Sequence, residues 1–141
     1  RYTVNGVSGE KAITRLQFGP AATSALTGRS DMWWGGVAQN GWGIAVLQQY
    51  KTLFLVWFTY DAAGKPTWYV MSGGTWTSTN TYEGRLYRTA GSPWLGRPYD
   101  PAAFKANDVG SFKVRFAGDT ATFDYSIDGV AGSMPLERQG F

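Results

Sequence analysis

Two stretches of the chain alternate apolar and polar residues with a period of two. In FKVRF, Phe112, Val114 and Phe116 share one face, while Lys113 and Arg115 take the other. In TATFDYSID, Ala121, Phe123, Tyr125 and Ile127 oppose Thr122, Asp124, Ser126 and Asp128. Successive side chains of a β-strand point to opposite faces, so this pattern predicts antiparallel strands with one face on a core and one in water. The Ala117–Gly118–Asp119 turn between them predicts a tight hairpin.

The middle of the chain breaks that alternation. In TLFLVWFTYD (Thr52–Asp61), Leu53, Leu55 and Trp57 are apolar, and so are Phe54, Val56, Phe58 and Tyr60. Such a strand is covered on both faces, by core within and by a loop, a partner or a ligand outside. GWGIAVLQQY precedes it across a sharp turn near Tyr50–Lys51. The next turn is DAAGKP (Asp61–Pro66), with Gly64 free to take positive φ, and it leads into TWYVMSGGTW. Ser78–Asn80 turns again into TYEGRLYR, so Gly41–Arg88 reads as a four-strand meander. Nineteen Gly with seven Trp, eight Tyr and eight Phe favour strands and turns over helices. The expected fold class is all-β: an antiparallel meander closing into a barrel or sandwich of about eight to ten strands.

Between Thr89 and Gly110 the pattern stops. Pro93, Pro98 and Pro101 exclude a central strand there. Asp100 followed by Pro101 is an N-cap and first-turn pair, which predicts one short helix near residues 101–107. A connection this long covers or binds something. Its plainer role is to close one end of a barrel, with Trp94 and Phe104 as plugs.

The chain also repeats itself. Superposing Tyr2 on Tyr125 aligns Gly6 with Gly129, Val7 with Val130, Gly9 with Gly132, Arg15 with Arg138 and Phe18 with Phe141, six identities within Arg1–Phe18. Average residue usage gives about one by chance. Two unrelated hairpins sharing an Asn-Gly or Asp-Gly turn would explain the Gly pair but neither Arg15/Arg138 nor Phe18/Phe141. Residues 1–18 are therefore read as the closing hairpin of a preceding repeat unit, 19–29 as a small, polar linker, and 30–141 as one nearly complete β-domain. A unit of about 120 residues exceeds solenoid periods, so beads on a string fit better than a stacked superhelix.

Composition excludes several function classes. A chain of 141 residues without His or Cys has no disulfide, thiol nucleophile, Ser-His-Asp triad or ordinary zinc site. Net charge is +3 and the basic residues are scattered, which argues against nucleic acid as a partner. No run approaches the ~18 apolar residues of a membrane helix. The chain opens at Arg1 without Met or a leader, as expected of a mature form or an excised fragment. An enzyme here would need paired carboxylates. Asp61 and Asp100 are explained by turn and cap duty, Glu83 lies within a strand, and Asp108, Asp119 and Asp128 lack the spacing of an EF-hand. No catalytic residue, metal ligand or cofactor is expected.

The aromatics remain. Phe54, Trp57 and Phe58 lie mid-strand and read as core. Trp33, Trp34, Trp42, Trp76 and Trp94 fall near strand ends or in loops, as does Tyr99, where rings can reach a rim. An indole offers a flat apolar face and one N–H donor, suited to sugar rings and to protein hot spots. Plugging a barrel end is the plainer role for each.

The string WWGG…GWGIAVLQQYKTLFLVWFTYDAAGKPTWYVMSG (Trp33–Gly73), closed by the Gly-Val-x-Gly…Arg tail, resembles a repeat domain of bacterial secreted and envelope proteins. There it stands singly or in tandem, sometimes appended to extracellular hydrolases. The resemblance implies export to the periplasm or beyond, and a non-catalytic accessory role. A fainter similarity is to calycin-type barrels, whose first strand opens with Gly-x-Trp; Gly41-Trp42-Gly43 departs from that spacing. Three functions are expected in order. The first is a secreted module that binds a glycan or an envelope protein through an aromatic rim. The second is a structural repeat that self-associates through strand 52–61 or through the N-terminal hairpin. The third is a calycin-like carrier of a small apolar ligand. A filled interior with exposed indoles favours the first, a large apolar contact through one sheet face the second, and a cavity of several hundred Å³ the third.

Overall fold

The computed structural model describes residues 1–20, 28–93 and 96–140. The first strands are β1 (Tyr2–Val4), β2 (Val7–Gly9), β3 (Asp31–Trp34) and β4 (Gly43–Gln49). The meander continues through β5 (Thr52–Tyr60), β6 (Pro66–Met71), the two-residue β7 (Thr75–Trp76) and β8 (Thr81–Ala90). It ends with β9 (Lys105–Ala117), β10 (Thr120–Ile127) and β11 (Val130–Arg138). β1 and β2 pair with each other, and the other nine strands form one antiparallel sheet in the order β6-β5-β4-β3-β11-β10-β9-β8-β7. Val70 of β6 pairs with Tyr87 of β8 and closes the ring. The domain is thus an eight-strand antiparallel barrel with β7 outside the ring. Closure removes the free edges that an open sheet of this length would expose.

The alternating strands fold as their pattern predicts. Phe112, Val114 and Phe116 point inward from β9, and Ala121 and Phe123 from β10, all buried. The hairpin turn is Gly118–Asp119, with Ala117 paired to Thr120. β5 sends Leu53, Leu55 and Trp57 inward, while Phe58 and Tyr60 lie exposed outside. The short helix expected near 101–107 is a single 3-10 turn, Pro101–Ala103. Asp100 caps it as expected, its Oδ1 accepting from the Ala102 N–H at 3.0 Å. The turn ends there because Lys105 already pairs with Ala90 at the start of β9, and the long ladder outweighs a second helical turn.

One half of the barrel is filled. Ile44, Leu53, Leu55, Met71, Leu86, Phe116, Phe123 and Leu136 are all essentially inaccessible. Tyr82 ties this half together from within. Its hydroxyl donates to the Leu53 carbonyl at 3.2 Å and accepts from the Leu53 N–H at 3.4 Å. Burial raises its pKa. At the far end Trp33 packs edge-on against Phe116 (5.2 Å), its Nε1–H donates to the Arg29 carbonyl at 3.1 Å, and the Arg138 guanidinium covers its ring. Near the other end β8 and β9 slip register between Leu86 and Tyr87. Gly110 sits there with positive φ, pressed so closely against the Ser126 carbonyl that no Cβ would fit.

The N-terminal hairpin stands apart from the barrel sheet, but the chain after it is anchored. The Gln49 side chain accepts from the Phe18 N–H (2.9 Å) and the Gly19 N–H (3.2 Å) and donates to the Leu16 carbonyl (2.8 Å). Phe18 then packs on Phe54 with ring centroids 5.9 Å apart. Most of the expected linker 19–29, residues 21–27, lies outside the described residues.

Candidate functional site

The end of the barrel opposite Trp33 is open. There the ends of β5, β8 and β10 meet the starts of β4, β6 and β11 around a depression of about 840 Å³. Its floor is aromatic. The Trp57 ring lies 5.5 Å from Tyr69 and 4.9 Å from Tyr125, with Phe123 beneath at 5.2 Å. Its lip carries Trp42, half-buried over Gly35, and the exposed Tyr60 beside Gly41. Ile127, Val130 and Met134 add an apolar side.

The polar wall comes from β8 and two turns. Tyr82, Leu86 and Arg88 have the same parity, so the alternation that buries Tyr82 and Leu86 brings Arg88 to the inside of the mouth. Its guanidinium lies over the Tyr69 ring at 5.5 Å, donates to the Tyr69 hydroxyl at 3.3 Å and pairs with Asp128 at 3.1 Å. The Tyr69 bond first, and Asp128 second, raise its pKa, so it stays a cation. Asp128 is held at the β10–β11 hairpin tip with φ 48, its N–H donating to the Val109 carbonyl at 2.9 Å. Across the opening, Asp61 Oδ1 accepts from the Ala63 and Lys65 N–H groups, both at 2.9 Å. Both carboxylates of the mouth are thus engaged in local bonds. With one cation and two anions, the mouth has no excess positive charge.

Trp57 Nε1 is a singular atom. Among the described residues it is the buried side-chain polar atom that has no hydrogen-bond partner. Buried donors are almost always satisfied, and an orphan costs about 1–3 kcal/mol. This one belongs to a ring that lines the mouth.

The residues singled out from sequence scatter. Trp42 lies in the mouth. Trp33 is 1% exposed at the opposite end and offers no face to a ligand, because β3 directs it inward. Trp76 is at that end too, packed edge-on against Tyr82 at 5.1 Å with its Nε1–H donating to the Lys51 carbonyl at 2.7 Å. Trp34 points outward, paired with Glu137 and Gly43. Tyr99 is exposed in the proline-rich connection, and Trp94 lies outside the described residues. The six therefore do not form one rim among the described residues. Sequence reasoning misses Arg88, Tyr69 and Tyr125, although parity within TYEGRLYR marks Arg88 as an inward cation. No family model, curated protein or solved structure matches the chain.

A second groove, of about 510 Å³, lies on the outer face of β8–β10. It is lined by Glu83, Lys113 and Asp124 among others, and these are already paired: Lys113 with Glu83 at 3.1 Å and Arg115 with Asp124 at 2.6 Å. Among the described residues no group of three or more His, Cys, Asp or Glu is placed to hold a metal ion, and no helix is long and apolar enough to cross a membrane.

Proposed function

We propose that this domain is a non-catalytic binding module whose open mouth takes a neutral sugar ring of a glycan. The observation that carries the reading is an open mouth that sets the Trp57, Tyr69 and Tyr125 rings beside a hydrogen-bonding wall of Arg88, Asp128 and Asp61. A sugar has apolar C–H faces for Trp42, Tyr60 and Tyr125, and hydroxyls for Arg88, Asp128 and Asp61. A neutral ligand suits a mouth without surplus cation. The engagement of both carboxylates favours binding over catalysis. An exported, envelope or extracellular location in a bacterium belongs to the same proposal and rests on the motif resemblance of Trp33–Gly73. The mouth has the volume expected of a carrier, but it is an open depression walled by Arg88, Asp128 and Asp61 above a filled half of the barrel, which disfavours a deep calyx for an apolar cargo.

The test is titration of neutral oligosaccharides against the protein, followed by tryptophan fluorescence and calorimetry. Trp42→Ala and Arg88→Ala are expected to weaken binding about tenfold or more, a loss of about 1.4 kcal/mol, at nearly unchanged melting temperature. Trp57→Phe keeps a ring and deletes the orphan donor. It is expected to leave affinity nearly unchanged while costing less than about 2 kcal/mol of stability, because relief of the orphan opposes the lost packing. Oligosaccharide binding that ignores the Trp42 and Arg88 substitutions would refute the mouth as the site.

A second reading has an observation of its own. On the outside of β5 and β6, Phe58 and Trp68 stand directly across from each other, both about half exposed, next to Tyr60. This face supports the self-associating alternative, which sedimentation of Phe58→Ser and Trp68→Ser variants tests.

A further inference from the structure

The N-terminal hairpin copies the tip of the β10–β11 hairpin in three dimensions. Tyr2, Thr3 and Val4 pair with Gly9, Ser8 and Val7, just as Tyr125, Ser126 and Ile127 pair with Gly132, Ala131 and Val130. Both turns put two residues at positive φ: Asn5 at 49° and Gly6 at 76°, Asp128 at 48° and Gly129 at 85°. In both, a tyrosine ring lies across the facing glycine in the space of a missing Cβ, Tyr2 on Gly9 and Tyr125 on Gly132. Such tyrosine-over-glycine pairs pin strand register.

Beyond the turns the two segments diverge. In the barrel, Leu136 is 2% exposed, whereas its counterpart Ile13 is 90% exposed. Arg138 pairs with Asp31 (2.9 Å) and Asp119 (3.3 Å), while its counterpart Arg15 lines a surface groove beside Leu16 and Phe18. Val7 touches Gly96 of the proline-rich connection, yet β1 and β2 form no ladder with the barrel. The segment therefore carries the inward side chains of a closing strand without a barrel around them.

Its charges say which barrel it fits. Arg1 occupies the place of Asp124, and it pairs with Glu10 at 2.9 Å where Asp124 bonds Ser133. Asp124 sits opposite Lys113 and bonds Arg115. Placed there, Arg1 would face both cations, and like charges across a ladder are destabilising. We infer that residues 1–18 form the closing hairpin of a second barrel of this architecture, one with an acidic side chain where this chain has Arg115. Exchange with another copy of this same chain is disfavoured by that charge. The second barrel is held close to this one, because the Gln49 clamp grips Phe18 three residues after Arg15.

The test transplants the segment within the full chain. In one chimera residues 124–141 are replaced by the sequence of residues 1–18; a second adds Arg115→Glu; a third carries a scrambled version of the same tail. The Arg115→Glu chimera is expected to give a strand-rich circular dichroism spectrum and one cooperative melt. The unsubstituted chimera should melt several degrees lower, and the scrambled one should not fold. An Arg115→Glu chimera that behaves like the scrambled tail overturns the assignment. Equal melting of the first two chimeras overturns the acidic partner. A concentration-dependent dimer of the wild-type chain, lost on deleting residues 1–18, overturns the exclusion of a second copy.

Discussion

The outside of the barrel has two faces of opposite chemistry around one kind of interior. Outside β8–β10, Arg85–Asp108 (2.7 Å), Lys113–Glu83 (3.1 Å) and Arg115–Asp124 (2.6 Å) make a ladder of ion pairs. Outside β4–β6, the cross-strand neighbours are Leu47 with Phe54, Val56 with Val70 and Phe58 with Trp68. Inside, both arcs contribute fully buried side chains, Leu55 and Met71 from one, Val114 and Phe123 from the other. Barrel closure constrains the inward positions alone. The outward positions are free to record what each face meets, and the apolar arc already meets something: Phe18 lies on Phe54.

The largest expected effects test whether the two interiors are equivalent. Leu55→Ala, on the apolar arc, is expected to cost about 2–5 kcal/mol, and Phe123→Ala, on the charged arc, about 3–5 kcal/mol, both by denaturant unfolding. A cost near zero for either would mean that its arc is not core. Next comes the covered end of the apolar face. Gln49→Ala removes the clamp, is expected to cost about 1 kcal/mol, and should speed amide exchange at Phe18 and Gly19. Exchange that stays slow would assign the anchoring to Phe54 instead.

Smaller effects separate the outer faces. Trp68→Thr breaks the pair with Phe58 and is expected to cost only about 0.2–1 kcal/mol. A larger loss would mean the apolar face is structural rather than an interaction surface. On the charged face, Arg115→Ala should change stability by less than about 1 kcal/mol. The Asp124 carboxyl is held below its ordinary pKa, first by the Ser133 hydroxyl and then by Arg115. A depressed folded-state pKa stabilises above the unfolded value of about 3.9, and that contribution is lost as pH falls through the folded value. The melting temperature should therefore fall below about pH 4, and Asp124→Asn should lessen the fall. An identical acid profile for the two proteins would remove Asp124 from the account.

The charged face was legible from sequence where its strands alternate, over Phe112–Phe116 and Ala121–Ile127, but not at the register slip beside Leu86 and Tyr87. The apolar arc gave the strand but not the direction of each ring: Trp57 and Phe58 are adjacent, and only the pairing decides that one is floor and the other surface. The site was less legible still. Tryptophans near strand ends drew attention, yet Trp33 and Trp76 close one end while Trp42 opens the other, because antiparallel neighbours send consecutive turns to opposite ends of the barrel.

What could be read in the chain was local: period-two alternation, turn residues such as Asp128–Gly129, the Asp100 cap, and the matching of Tyr2–Phe18 to Tyr125–Phe141. Each depends on the geometry of a few consecutive residues. Ring closure through Val70 and Tyr87, the β11–β3 junction at Arg138 and Trp33, and the meeting of Trp57, Tyr69, Arg88 and Asp128 were settled only by the folded barrel. Those contacts join residues far apart in sequence, and strand tilt and register, which no local pattern encodes, determine which of them meet.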